Sequence, residues 1–197
     1  MNESAIGNCS LNEICLPQGL EVIGKEAFRG CHNLEKIEIP NSVTHIGEFA
    51  FFACSDLQQI KLPPKLHTIE PYSFSGCAMR KISIPDTVIC IGEEAFAWCD
   101  NLRQVRFSEN LEKICKCAFT GCLDLEEIHL PKSLKTIEEG AFDGCEKLKS
   151  IVLHSKLESI EQITDCISEN AIISGSDASG AKELAEKLGC QYRQIDE

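Results

Sequence analysis

Apolar positions recur along this chain in short alternating runs. In Leu34-Glu-Lys-Ile-Glu-Ile-Pro40, Leu34, Ile37 and Ile39 face one way while Glu35, Lys36 and Glu38 can face water. Such period-2 alternation predicts a half-buried strand. Pro17, Pro40, Pro63, Pro85 and Pro131 end equivalent runs, because proline has no N–H for a ladder and fixes φ for a turn. A second inward set follows each time: Leu20 and Ile23, Val43 and Ile46, Leu66 and Ile69, Val88 and Ile91, Leu111 and Ile114, Leu134 and Ile137. It predicts a second ladder. Gly24, Gly47 and Gly92 permit a turn after it, and the next segment, Ala27-Phe-Arg-Gly-Cys31 in the first instance, suits a helical or 3₁₀ turn that drives its Phe inward.

That segment returns at Ala50-Phe51, Ser73-Phe74, Ala95-Phe96, Ala118-Phe119 and Ala141-Phe142, each with a Cys three residues after its Phe. Cys31, Cys54, Cys77, Cys99, Cys122 and Cys145 are 23 residues apart except for one step of 22. This period belongs to a solenoid in which each repeat is one coil, and such coils are stable only when stacked. Coils begin at Leu11, Leu34, Leu57, Met79, Leu102, Leu125 and Leu148, with one position missing between Cys77 and Met79. Ala5-Ile6-Gly7-Asn8-Cys9 resembles the tail of an earlier coil, with Ile6 in the place of Phe. With strands ~4.8 Å apart, seven coils make a rod or shallow arc on the order of 35 Å long.

Open ladder ends invite pairing with other chains. At the C-terminal end, Ala181, Leu184, Ala185 and Leu188 have helical spacing within Ser179 to Leu188, Gly189 stops the helix, and Tyr192 and Ile195 lie on a final strand. This segment reads as a cap. The N-terminal end shows no counterpart. The expected organisation is therefore a partial repeat over residues 1–10, a solenoid over 11–160 and a cap over 161–197, in one structural domain.

The pattern Leu-x-x-Ile-x-Leu-Pro-x-x-Leu-x-x-Ile-Gly-x-x-Ala-Phe-x-x-Cys, carried by Leu34 to Cys54, resembles the BspA-like leucine-rich repeats of bacterial and some protist proteins. The resemblance covers about Ala5 to Leu157, and the stretches Ile173-Ser-Gly-Ser-Asp, Ala181 to Leu188 and Tyr192 to Ile195 are similar to that family's terminal segment. It implies a leucine-rich-repeat solenoid, β-rich with parallel ladders and short helical turns, in right-handed coils of about 23 residues closed by a helix-strand cap. It also implies a surface or secreted protein that binds other proteins, matrix or host surfaces, and supplies no catalytic residue. Departures are local. Ser108 and His154 replace the turn proline, Glu70, Cys115 and Glu138 replace the turn glycine, and Trp98 occupies a small-residue site.

The chain has 197 residues, 43% hydrophobic and 25% charged, enough for one continuous core. Its net charge of -12 argues against nonspecific binding to nucleic acid or insertion into an anionic membrane. No apolar run is long enough to span a bilayer. Met-Asn-Glu-Ser-Ala-Ile lacks the regions of a secretory signal, which places the protein in the cytoplasm if Met1 is the native start and at the cell surface or outside if a signal was removed.

Of thirteen cysteines, Cys9, Cys31, Cys54, Cys77, Cys99, Cys122 and Cys145 share one stacked position, where a free thiol acts as a small apolar filler. Such a column fits a reducing setting. Cys15, Cys90, Cys115, Cys117, Cys166 and Cys190 lie off it. Cys115-Lys-Cys117 with Cys90 is the arrangement nearest to a metal or redox site, but it lacks the Cys-x-x-Cys pairs or the Cys/His set of structural zinc, and no cofactor is expected. Gly175-Ser-Asp-Ala-Ser-Gly-Ala-Lys182 has the outline of a phosphate loop without its strand-helix surroundings and reads as the entrance to the cap.

Because equivalent positions stack, Lys61, Arg80, Lys81, Arg103 and Arg106 are expected to form a basic patch on the outward strand face of an acidic protein. Guanidinium groups pair with carboxylates or sulfates, so the expected partner is a protein or an acidic glycan. The plainer alternative is a solvated strand face whose charge discourages aggregation. Phe49, Phe52, Tyr72 and Trp98 form a second, aromatic candidate on the turn side, with local packing beneath a turn as the alternative. A non-catalytic interaction or adhesion module is the favoured class. A thiol-rich metal or redox protein rests only on the cysteine count, and an enzyme on no motif.

Overall fold

The computed structural model describes residues 6–160 and 171–195. Residues 1–5 of the partial repeat, 161–170 of the expected cap, Cys166 among them, and the last two residues lie outside the described residues.

Two parallel ladders run along the coils. The first contains β1 (Glu13–Cys15), β3 (Lys36–Glu38), β5 (Gln59–Lys61), β7 (Lys81–Ser83), β9 (Gln104–Arg106), β11 (Glu127–Leu130) and β13 (Ser150–Leu153). The second contains β2 (Val22–Ile23), β4 (His45–Ile46), β6 (Thr68–Ile69), β8 (Cys90–Ile91), β10 (Lys113–Ile114), β12 (Thr136–Ile137) and β14 (Ser159–Ile160). Register follows the repeat, Ile37 lying opposite Ile14 and Ile60, and Ile114 opposite Ile91 and Ile137. The first ladder is interrupted between β5 and β7, where the loop is one residue shorter, and again between β9 and β11.

The alternation works as the sequence predicts. Leu34, Ile37 and Ile39 are buried while Glu35, Lys36 and Glu38 are exposed. One continuous core runs from Ile23 to Ala185. Leu11 is the exception at 54% exposed, at the end of the stack where only residues 6–10 are described beyond it. Each turn proline accepts a hydrogen bond from the residue three places on, as in Val43 N–H to Pro40 O at 3.0 Å. Ser108 fills the proline position in the fifth coil, where its hydroxyl also accepts from Asn110 N–H at 3.1 Å. Gly47 and Gly92 have ordinary φ. What they provide is close approach, since a Cβ at Gly92 would lie 2.8 Å from both Ile69 O and Pro71 N of the coil before.

The third wall is a row of turns. Odd-numbered N–H groups of the first such segment bond three residues back (Ala27 to Gly24, Arg29 to Glu26, Cys31 to Phe28), while Glu26, Phe28 and Gly30 donate to Glu48, Ala50 and Phe52 of the next coil. Two residues per segment take left-handed φ to achieve this alternation: Glu26 and Gly30, Phe49 and Ala53, Tyr72 and Gly76, Glu94 and Trp98, Cys117 and Gly121. Inside this wall Phe28, Phe51, Phe74, Phe96, Phe119 and Phe142 stack in one column, with centroids 5.0 to 5.5 Å apart and planes within 10°. Beside it, Cys54, Cys77, Cys99, Cys122 and Cys145 each donate their S–H to the carbonyl of a Phe in the preceding coil, at 3.2 to 3.3 Å. The thiols do more than fill space. Each supplies a hydrogen bond between coils, which the apolar-filler reading did not include.

At the C-terminal end β15 (Ile172–Gly175) continues the first ladder, and β16 (Gln191–Gln194) pairs parallel beyond it. Between them α1 (Ala181–Leu188) buries Ala181, Leu184 and Ala185. The helix begins after the left-handed Gly180 rather than at Ser179, and ends at the left-handed Gly189. Gly175 lets it sit close, since a Cβ there would lie 2.6 Å from that of Ala181. β15 itself is a strand that the sequence reading did not place.

Candidate functional site

All five predicted basic residues line two adjoining hollows on the first ladder's exposed face. One, of about 630 Å³, is bordered by Arg80, Lys81, Arg103 and Arg106 together with Glu126, Glu127 and His129. The other, of about 1070 Å³, runs across β3, β5, β7 and β9 and includes Lys61, Arg80, Lys81 and Arg106. Lys61, Lys81 and Arg106 project from β5, β7 and β9, where every second residue shares a face, while Arg80 and Arg103 each stand one residue before β7 and β9 and are exposed as well.

Their electrostatic states differ. Arg103 donates through Nε and Nη2 to Asp124 at 3.1 Å, and Lys147 approaches the same carboxylate. Together Lys147 and Arg103 hold the Asp124 carboxyl below its ordinary range. Arg106 reaches both oxygens of Asp86 at 3.2 Å, and that bond, supported by the Glu109 N–H, depresses Asp86 likewise. Lys61, Arg80 and Lys81 make no ion pair among the described residues. The patch thus consists of three open cations flanked by two arginines that internal carboxylates already occupy. Asp86 and Asp124 are the residues that sequence reasoning missed, and stacking register could have signalled both.

The aromatic candidate divides. Phe49 stacks on Tyr72 with centroids 4.6 Å apart and meets Phe52 edge-on at 5.6 Å. The Arg29 guanidinium lies over both phenylalanines at 5.8 and 5.5 Å. Trp98 makes no ring contact with them among the described residues. It is 60% exposed, and its indole covers Gly121 of the next coil. Phe49, Tyr72 and Trp98 all occupy left-handed positions, which bulky side chains rarely adopt.

Cys117 does not join Cys90 and Cys115. Its thiol points to the Glu139 carbonyl at 4.0 Å, whereas the sulfurs of Cys90 and Cys115 are 3.7 Å apart. Among the described residues no group of three or more His, Cys, Asp or Glu side chains is placed to hold a metal ion, and no helix is long and apolar enough to cross a membrane.

A family model described as BspA type leucine rich repeat region, in six copies, matches residues 1–80 and 67–174. Among solved structures, the T. pallidum leucine rich repeat protein TpLRR is 24% identical over 80% of this chain and 84% of that one, with a TM-score of 0.61. A leucine rich cell surface protein from Faecalibacterium prausnitzii A2-165 is 20% identical over the whole of this chain, with a TM-score of 0.52, and this chain spans 63% of its length. A leucine-rich repeat protein from Eubacterium ventriosum is 18% identical over 89% of this chain and 50% of its own, also with a TM-score of 0.52. At these identities the likeness is one of fold. Comparison with curated proteins gives no match.

Proposed function

We propose that this chain, which belongs to the BspA type leucine-rich repeat family, is a non-catalytic interaction module whose first-ladder face takes an extended acidic segment of a protein partner. The family is one of binding scaffolds, generally without enzymatic activity. The observation that carries the reading is the set of open cations, Lys61, Arg80 and Lys81, lining adjoining hollows in a protein of net charge -12. A solvated face kept only for solubility gains nothing from gathering its cations here. A partner presenting carboxylates does, through charge-assisted hydrogen bonds and faster encounter. Together the hollows cross five strands of the ladder, β3 to β11, so an extended segment meets successive coils.

Reversal of the open cations tests this. Titration of a Glu-rich peptide into the wild type and into a K61E/R80E/K81E variant is expected to show binding that weakens about tenfold or more, ~1.4 kcal/mol, and that falls with added salt. Equal affinity for both proteins, or affinity indifferent to salt, would remove the strand face from consideration. Reversal of Arg103 and Arg106 is expected to matter less, because Asp124 and Asp86 already neutralise them.

A further inference from the structure

The second ladder has a diagonal that joins each coil to the next at an offset of 25 residues. It carries oppositely charged or polarised groups at two places: His45 Nδ1 stands 3.9 Å from Glu70, and Lys113 Nζ pairs with Glu138 at 2.6 Å. On the same diagonal, between the fourth and fifth coils, are Cys90 and Cys115, both half-buried, with their sulfurs in contact at 3.7 Å. Cys115 stands where the first, second and fourth coils have a turn glycine and the third and sixth have Glu70 and Glu138, so the fifth coil alone presents a thiol here. Five thiols of the core column, from Cys54 to Cys145, donate to backbone carbonyls, and at the column's end Cys9 donates to Cys31 Sγ at 2.6 Å, where burial pushes the Cys31 thiol up to about 12. Cys90 and Cys115 face each other outside that column.

We infer that Cys90 and Cys115 form a reactive dithiol that small-molecule disulfides oxidise to an inter-coil disulfide, tying the fourth coil to the fifth. The surroundings assign the two sulfurs different roles. Cys90 is brought down to about 7 by the hydrogen bond from Cys115, with the Lys113 charge assisting and burial, Glu138 and Glu70 opposing. It is the attacking thiolate. Cys115 is pushed up, first by that same hydrogen bond, then by burial and the Cys90 charge.

Cys90 thiolate attacks one sulfur of the disulfide RSSR. A Cys90–SR bond forms, and RS⁻ leaves and takes up the proton that Cys90 gave to solvent. Once Cys90 carries no charge, the main influence holding the proton on Cys115 is gone. Cys115 then loses its proton, attacks Cys90 Sγ and displaces the second RS⁻, which the proton neutralises. In sum, two thiols and RSSR become one protein disulfide and two RSH: the protein pair is oxidised and the reagent reduced. The sulfurs of these two partly exposed residues must close from 3.7 Å to about 2 Å to bond. The bond clamps the coils that carry Arg80, Lys81, Arg103 and Arg106.

The folded protein, treated with glutathione disulfide at pH 7.5, tests this by intact mass and peptide mapping. Wild type is expected to lose two hydrogens and to yield a Cys90–Cys115 linked peptide. In the wild type the first step at Cys90 is expected about threefold faster than at a thiol of ordinary pKa once the lower nucleophilicity of a more acidic thiol is included, and C115S is expected to stop at one glutathione adduct on Cys90. C90S is expected to give no linked peptide and no fast adduct. Stable glutathione on Cys90 in the wild type, a linkage of Cys90 or of Cys115 to a different cysteine, or an unmodified Cys90 in C115S would each overturn the inference. Both substitutions sit at the surface, and an unchanged circular-dichroism melt of each reduced variant confirms that its reactivity belongs to the folded state.

Discussion

Alkaline pH should unfold this protein through its core column. Cys54, Cys77, Cys99 and Cys122 are fully buried, and burial raises each thiol from its ordinary value near 9.0, to about 12 for Cys54 and Cys99. The unfolded chain releases these protons near pH 9 and the folded chain does not, so the unfolded state binds fewer protons and stability falls as pH rises. The contribution is whole below pH 9 and is lost progressively between 9 and 12. At pH 10 each thiol has cost about 1.4 kcal/mol, and four cost about 6 kcal/mol, comparable with the whole stability of an ordinary domain. Urea midpoints under reductant between pH 7 and pH 10, below the lysine range, read this slope. A C77S/C99S double variant isolates its origin, since a serine hydroxyl can donate to the Phe51 and Phe74 carbonyls yet does not ionise. Its slope above pH 9 is expected to be shallower than that of wild type by the share of these two thiols, whatever its stability at pH 7. Equal slopes for the two proteins, or a wild-type midpoint flat to pH 10, would refute the assignment of the thiols to a proton-retaining core.

Two further outcomes follow from the same interior. Phe74 stacks on rings at 5.4 and 5.5 Å on its two sides, whereas Phe142 has one such neighbour, so Phe74→Leu is expected to cost more than Phe142→Leu by one ring pair, about 0.5–1.5 kcal/mol in urea denaturation. Equal losses would mean that the column acts by volume alone. Ser73 holds the position that is Ala27, Ala50, Ala95, Ala118 or Ala141 elsewhere, and its buried hydroxyl has no hydrogen-bond partner. Ser73→Ala is expected to stabilise by about 1 kcal/mol, and a lower melting temperature would show that the hydroxyl is satisfied.

What the sequence made legible is whatever repeats. Both ladders, the Phe column and the Cys column follow from positions copied every 22 or 23 residues, because stacking converts a sequence period into a spatial row. Single-coil features were harder to place. The left-handed backbone at Phe49, Tyr72 and Trp98 is invisible in their identities, since such side chains argue against that conformation. Gly140 stands at the Phe49 and Tyr72 position, and Gly30, Gly76 and Gly121 at that of Trp98, and comparison among coils was the only signal available. β15 went unread because Ile172-Ile-Ser-Gly175 lacks the leucine, proline and spacing that mark the other coils, although Ile173 is buried opposite Ile151 of β13 as in the regular ladder.

The contacts that decide chemistry here are diagonal. Reading the surface in columns, at steps of 22 or 23, brings Lys61, Arg80, Lys81, Arg103 and Arg106 onto one face, and the structure places them along it. Side chains long enough to lean along the strand reach past their column. Arg103 meets Asp124 at an offset of 21, Arg106 meets Asp86 at 20, and Cys90 meets Cys115 at 25. A column reading therefore counts five open cations where three remain, and separates two thiols that touch. Column partners remain, as in Lys25 with Glu48 and Lys149 with Glu126 at an offset of 23, so at each surface residue the neighbours to consider are those one coil away both in the same column and displaced by two or three positions. Applied to the charged face, that rule turns a uniform basic stripe into a centre with free charge and a neutralised flank, and so the proposed contact with an acidic segment rests on Lys61, Arg80 and Lys81 rather than on the arginines of the fifth coil.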